Sequence, residues 1–343
     1  MFKNYLRNTI LQESRTIFEY ELQLGVIEGN LVTGFSARNV SLRSPIGDII
    51  SSEHIELKYD LFGFLFNRVG ISNAVITKPK IQLIRSIDGS WNISHILKPT
   101  PKDTNPPSWA INIKRIELSE AEIDYVDSLL IHKRQIGERD FPPDSVIDYA
   151  NIQLRPFSLE ASLFINQGRL EAKIRNLQFN SILTPFTLVH SGGDFLLTEN
   201  EISAKNVRIE TSNSSIRLNV GMKEIDISKL STLEELKTKP VNLSLIANNL
   251  DTKELKQFLY PWVDFLDREI KLQITANGKF GELNIDQLSV QLPHSMVQLQ
   301  GQLRNLDHPR DLEMTIYGND NFVLPADLLE YLPGLQIADL SFL

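Results

Sequence analysis

Alternation of apolar and polar residues constrains this chain more than any other feature. From Phe157 to Ile165, apolar residues occupy every second position, and shorter runs of the same kind recur on both sides of this segment. Because successive side chains of a β-strand point to opposite faces, this period predicts strands that are buried on one face only. We therefore expect a mostly β fold: a long curled antiparallel sheet forming an apolar groove, with a few short helices, one of them N-terminal.

The clearest alternating runs supply the side chains that we expect to line the groove. The groove candidates are Phe157, Leu159, Leu163, Ile165, Leu243, Leu245, Leu272 and Ile274. A sheet closed on itself, a sandwich or a long curled sheet would each cover such an apolar face, whereas a few helices could only cap its ends. In the curled case a natural occupant is an acyl chain, since each buried methylene contributes about 0.8 kcal/mol.

Composition and motifs exclude several functional classes. A formal net charge of -8 argues against nucleic acid as a partner, because phosphate binding needs a surplus of Lys and Arg on one surface. The absence of cysteine removes thiol chemistry and suits an oxidising compartment. The six histidines are scattered without metal-ligand spacing, and no nucleophile, phosphate-loop or dinucleotide motif occurs. We expect neither an enzyme nor a metal or other cofactor.

The sequence divides into four parts. Residues 1–20 are predicted to form an amphipathic helix that caps the end of a sheet; its basic flanks leave an interfacial helix on a membrane as the alternative. Residues 21–97 form an opening β unit, and 98–108 are a linker, because the prolines there cannot donate to a strand ladder. Residues 109–343 read as a repetitive β-groove with helical insertions.

Within these parts, several segments carry a more specific interpretation. Residues 60–67 are typical of a short helix or turn, 127–147 of an irregular excursion, and Trp91 of a packing residue beside a turn. Helical patterns occur at 227–236 and 250–266.

A short motif occurs three times along the chain. It places an apolar residue, a basic residue, an Asn and two alternating apolar residues in order: Ala37-Arg-Asn-Val-Ser-Leu42, Ile174-Arg-Asn-Leu-Gln-Phe179 and Ala204-Lys-Asn-Val-Arg-Ile209. A strand unit used repeatedly would give this pattern, and so would chance in a chain rich in strands and turns.

The opening stretch resembles a known family. Gly25 to Leu42 is similar to the first strand pair of the AsmA-like and TamB-like envelope proteins, and residues 55–59 and 61–66 fit the strand and the Leu/Phe-rich segment that follow it. Ala74 to Arg85 resembles the family's strand pair around a proline, and Asp88-Gly-Ser-Trp-Asn-Ile93 its Gly-x-Trp-Asn turn. Residues 274–290 and 297–303 are similar to the family's repeating strands.

This resemblance implies a function and a location. It implies a periplasmic body anchored in the inner membrane by one helix, with a β-groove that carries phospholipid. The alternative is an assembly factor that captures strands of outer-membrane proteins at a sheet edge and works with an outer-membrane assembly protein. No run approaches the roughly 18 apolar residues of a spanning helix. We therefore expect an anchor encoded before Met1, and a chain that continues beyond Leu343.

Overall fold

The computed structural model of the protein describes most of the chain. The described residues are 2–30, 34–44, 47–60, 68–94, 96, 110–136, 147–166, 168–184, 186–225, 236–254, 269–279, 281–305, 313–318 and 321–327. The mostly β fold class is confirmed, because seventeen strands belong to one sheet. Contacts divide the chain into two units, Met1–Pro143 with Ile147–Gly192 and Gly193–Leu343 with Asp144–Val146.

The described part of the first unit contains two helices and the first nine strands. The helices are α1 (Phe2–Ile17) and α2 (Ser128–Gln135). The strands are β1 (Glu21–Gln23), β2 (Ile27–Asn30), β3 (Gly34–Ser44), β4 (Gly47–Asp60), β5 (Arg68–Thr77), β6 (Lys80–Arg85), β7 (Ala110–Asp127), β8 (Asn151–Asn166) and β9 (Arg169–Ser181). Next, β10 (Thr187–Leu197) carries the chain into the second unit.

The sheet is mixed and not purely antiparallel as expected. Strands β5 and β6 both run parallel to β7, whereas the other registers of this unit are antiparallel. The segment resembling a strand pair around a proline contains the end of β5 and all of β6. These two strands do not form a hairpin: both pair with β7 in the same direction, one after the other, and the ladder is interrupted between them at Lys78 and the buried Pro79. Pro79 lacks an N–H for the ladder, and Lys78 takes a positive φ of 49°, so the interruption falls at this dipeptide.

Helix α1 packs on the start of the sheet. Ile10 and Leu11 contact a cluster formed by Leu24, Ile27 and Ala37. The Arg7 Nε also donates to the Leu24 carbonyl at 2.8 Å, which fixes the helix to the chain that leads into β2. This arrangement supports the interpretation of α1 as a helix that caps the end of a sheet.

Helix α2 lies where the sequence suggested only an irregular excursion, so that interpretation was wrong for residues 128–135. Asp127 caps its start: the Leu130 amide donates to the Asp127 carboxylate at 2.8 Å. Three basic residues, His132, Lys133 and Arg134, occupy its last turn, where they complement the helix dipole. The cap and the basic end were readable in the sequence.

The second unit contains consecutive antiparallel strands. They are β11 (Glu201–Thr211), β12 (Ser215–Lys223), β13 (Pro240–Asp251), β14 (Glu269–Lys279), β15 (Glu282–Gln291), β16 (Met296–Arg304) and β17 (Glu313–Gly318). Most of the segments predicted as helical insertions, 227–236 and 250–266, lie outside the described residues, as do the Leu/Phe-rich segment 61–66 and the linker 98–108.

The pairing register between neighbouring strands shifts at β-bulges, where two residues of one strand lie opposite a single residue of its partner. In β11 the shift falls between Ala204 and Val207, inside the third copy of the repeated motif, and Asn206 there takes a φ of 54°. In the first copy Asn39 takes a φ of 50°, and in the second a shift falls where Glu160 and Ala161 face Asn176 and Ile174. Asn tolerates the left-handed region better than most residues, so the motif marks strand irregularities that its sequence can accommodate.

Candidate functional site

Apolar side chains of the first unit form rows that cross the sheet. Residues directly opposite each other on paired strands project from the same face. One row follows successive partners from β2 to β9: Ile27, Ala37, Ile55, Ile76, Leu118, Leu159 and Leu177. Neighbouring rows contain the groove candidates Phe157, Leu163 and Ile165, and Phe157 stacks on Phe179 with ring centroids 6.3 Å apart.

The second unit carries the same arrangement. Its rows are Ile209, Ile216, Ala247, Leu272, Val290, Val297; Val207, Leu218, Leu245, Ile274, Leu288, Leu299; and Ala204, Val220, Leu243, Ala276, Ile285, Gly301, Ile316. The groove candidates Leu243, Leu245, Leu272 and Ile274 therefore share one face, because each is opposite an apolar partner in its row. We call this face of each unit the apolar face.

Most large side chains of the apolar face are only partly buried, with Ile27 and Val207 as buried exceptions. All the groove candidates are only half-buried. The most deeply buried row members are small, such as Ala247 at 1% and Ala276 at 2% exposure. Among the described residues, the largest side chains below 2% exposure are Ile225, Thr252, Asp327 and Pro79, none of which belongs to these rows. A chain of this length ordinarily buries many large aliphatic side chains completely.

The opposite face is predominantly polar, with the exposed Ile246 opposite Arg217 as an apolar exception. In the second unit its rows pair Arg208 with Arg217, and Asn219 with Ser244 and Thr275. The strands therefore present two chemically different surfaces, as period-2 patterning requires.

The β-bulges bring additional apolar residues onto the apolar face. These bulges were not predicted from the sequence. Ala204 and Val207 are three residues apart, as are Ala247 and Leu250, and Ile285 and Leu288. In a regular strand such residues would point to opposite faces. A bulge between them restores both to one face, so apolar residues at a spacing of three within a strand pattern could have signalled it.

Polar and aromatic side chains outside the apolar rows make contacts that stabilise the fold. Asn92, in the Gly-x-Trp-Asn turn, accepts from the Ile84 amide at 2.9 Å and donates to the Gln82 carbonyl at 2.7 Å, so its side chain continues the ladder beside β6. Trp91 packs on Tyr125 and lies under the Arg85 guanidinium, as a packing residue would.

Titratable groups with shifted pKa values also have structural explanations. The Ser295 hydroxyl, the His294 backbone amide and the His294 ring lower the pKa of the buried Asp327 carboxyl. The Arg155 guanidinium, bonded to both Asp124 oxygens at 2.6 and 2.9 Å, has its pKa raised by this partner. The described histidines lie singly, with His54 in β4, His132 in α2, His190 against Asn176 and His294 against Asp327. His95 and His308 lie outside the described residues.

The last described strand is unusually exposed. Every residue of β17 is exposed, including the apolar Met314, Ile316 and Tyr317. Met314 and Ile316 lie opposite Leu303 and Gly301 of β16, so they extend the apolar face to this strand.

Comparisons with known proteins add no relative. No family model, curated protein or solved structure matches the chain. In the part of the chain that the structure describes, no helix has both the length and the apolar character needed to cross a membrane.

Proposed function

We propose that this chain is a lipid-handling protein of the bacterial envelope, whose apolar face shelters the acyl chains of phospholipid. One observation carries the proposal: large apolar side chains align in register across successive strands, yet remain half-buried. An acyl chain lying on these rows would remove apolar surface from water both on itself and on the protein, at about 25 cal/mol per Å². No catalytic group is needed for this role.

The location follows from the same proposal. The resemblance of residues 22–97 to AsmA-like and TamB-like proteins supports a periplasmic body held at the inner membrane. The absence of cysteine is compatible with that oxidising compartment.

A second candidate function is strand capture during outer-membrane protein assembly. The exposed apolar residues of β17 favour it, because an exposed apolar strand is a template for pairing with another chain. Affinity would then come from main-chain hydrogen bonds along β17 and not from the apolar rows.

Charge placed on the apolar face tests the first function. Leu163→Asp in β8 and Leu243→Asp in β13 should abolish recovery of phospholipid with the purified protein, measured by native mass spectrometry and lipid extraction. The matched controls are Ser162→Asp and Ile246→Asp, which put the same charge on the same strands but on the opposite face. Lipid-free protein that also refuses phosphatidylethanolamine vesicles would argue strongly against the proposal.

Leu243→Asp, together with a variant of β17, separates lipid binding from strand capture. Strand capture, measured with a fluorescent peptide from an outer-membrane protein strand, should survive Leu243→Asp and be lost in Ile316→Lys, because a lysine on the exposed strand β17 opposes strand pairing. Peptide capture that disappears with Leu243→Asp, in a folded variant that keeps its lipid, would reverse this assignment of roles.

A further inference from the structure

The polar face of the second unit contains a hollow of about 440 Å³, within the size range of small-molecule sites. Its floor is built by glycine and small polar residues on β11 to β14: Ser203, Asn219, Gly221, Asn242, Ser244 and Thr275. We call this feature the polar hollow. Register places Ser203 opposite Gly221, Gly221 opposite Asn242, and Ser244 opposite Thr275, so the floor crosses four adjacent strands.

The hollow lies on the face opposite the apolar rows. Val220, Leu243 and Ala276 also border it, but they alternate with its floor residues and belong to an apolar row. Successive strand residues point to opposite faces, so these three reach the hollow through their backbone. The site therefore offers a ligand the polar groups of its floor together with the aliphatic stems of Lys205 and Lys223.

Unused hydrogen-bonding capacity points to a ligand. Ser203 is only 4% exposed and lines the hollow, yet its hydroxyl has no hydrogen-bond partner among the described residues. Among the described residues, the only enclosed polar side-chain atoms without a hydrogen-bond partner are Asn73 Oδ1 and Arg155 Nε, so the Ser203 hydroxyl opens into the hollow and is available to a ligand. The Asn219 Oδ1 accepts from the Asn206 amide at 2.7 Å, which holds this side chain at the rim beside the bulge.

The charges around the hollow balance. Lys205 and Lys223 face Glu201 and Asp286, giving two cations and two anions. Lys205 pairs with Glu201 at 3.9 Å, and Asp286 accepts from Asn277 at 2.5 Å. A strongly charged ligand gains nothing from such a rim, whereas a neutral ligand rich in hydroxyls can both donate to and accept from hydroxyl, amide and carboxylate groups.

We propose that the polar hollow binds a neutral saccharide, independently of lipid on the apolar face. Hydroxyls of the sugar pair with Ser203, Ser244 and Thr275 on the floor, and the Asn242 amide contributes both a donor and an acceptor. The site goes beyond lipid handling, because its residues lie on the other face of the strands.

A larger side chain at Gly221, which would fill the polar hollow, tests the proposal. A Cβ added at Gly221 would meet only the Ser203 Cβ, at 3.7 Å, which is ordinary contact. Gly221→Val should therefore fold and occupy the hollow. Binding of maltose, cellobiose and diacetylchitobiose is measured by saturation-transfer NMR and calorimetry on the full chain. At least one should bind the wild type, and Gly221→Val should weaken that binding about tenfold or more, equivalent to about 1.4 kcal/mol.

Controls distinguish the proposal from a solvated polar face. Asn242→Ala, at an exposed position, should also weaken binding and provides a second variant if Gly221→Val does not fold. Ser289→Val, on the same face but outside the hollow, should leave saccharide binding unchanged. The proposal is overturned if none of the three saccharides binds, if inorganic phosphate binds in their place, or if Gly221→Val and Asn242→Ala leave saccharide binding intact. Recovery of phospholipid should be the same in all these variants, so failure here leaves lipid handling untouched.

Discussion

At the scale of single residues, polar side chains hold the ends of strands where the backbone ladder stops. Asp127 caps α2 while accepting from the Arg85 guanidinium at 3.2 Å. Asp327 plays a similar part at the β15–β16 turn, where the His294 backbone amide donates to it at 2.9 Å. The Asp127 cap is local and readable in the sequence, whereas the bonds from Arg85 to Asp127 and from His294 to Asp327 join residues 42 and 33 positions apart and are not.

Asp327 predicts a pH-dependent contribution to stability. Its pKa is lowered by the Ser295 hydroxyl first and by His294 after it, so the folded state favours the carboxylate. The stabilisation is then fully present above the unfolded pKa of about 3.9 and is lost as pH falls through the lower folded value. Asp327→Asn should lower the urea midpoint at neutral pH, and the difference from wild type should shrink in acid.

A matched variant isolates the carboxylate. His294→Gln keeps the backbone amide that donates to Asp327, and the His294 side chain is 70% exposed, so its midpoint should stay close to wild type. A loss in Asp327→Asn that stays the same size below the folded pKa would contradict the role given to ionisation.

At the scale of elements, bulges keep the apolar rows aligned. Strand β11 would turn its apolar residues to the wrong face after Ala204 if the ladder were regular, because alternation has a period of two. The left-handed Asn206 absorbs the extra residue, and its amide and side chain bond Asn219 and Asp194 at 2.7 and 3.1 Å.

Two substitutions at Asn206 separate backbone conformation from side-chain bonding. Both Asn206→Gly and Asn206→Ala lose the bond to Asp194, but only glycine adopts the positive φ without strain. We expect Asn206→Ala to be the less stable of the two by about 1–2 kcal/mol, measured from urea unfolding. Equal stability of the two variants would show that the left-handed conformation at this bulge is not a constraint.

At the scale of the molecule, incomplete burial links stability to the proposed ligand. Most of the large side chains of the apolar rows, including all the groove candidates, remain half-buried, so the free protein keeps apolar surface in water. Binding that covers this surface stabilises the folded state by mass action.

Phospholipid should therefore raise the thermal midpoint of delipidated protein. A monomeric short-chain phosphatidylcholine at about 100 times its dissociation constant should add about 2.7 kcal/mol, measured by scanning calorimetry. Leu243→Asp should reduce this gain and Ile246→Asp should retain it. A midpoint that does not move in wild-type protein would count against acyl binding on the apolar face.

Local patterning was sufficient to predict much of the architecture. The alternation from Phe157 to Ile165 identified β8 and its apolar side, and the apolar stripe of residues 2–20 identified α1, because both depend on periods that are read within one segment. The groove candidates were predicted to share a face, and within each unit they do.

Pairing between distant segments was decided only in the tertiary structure. Strand β7 runs parallel to β5 and β6, and no local period encodes the direction in which a returning strand pairs. The bulges of β11 and β13 and the small-residue floor at Ser203 and Gly221 likewise depend on which residues come to lie opposite one another. Sequence determined which side of each strand is apolar, because side-chain alternation is local; register determined what those sides assemble into, because hydrogen bonding between strands joins residues far apart in the chain.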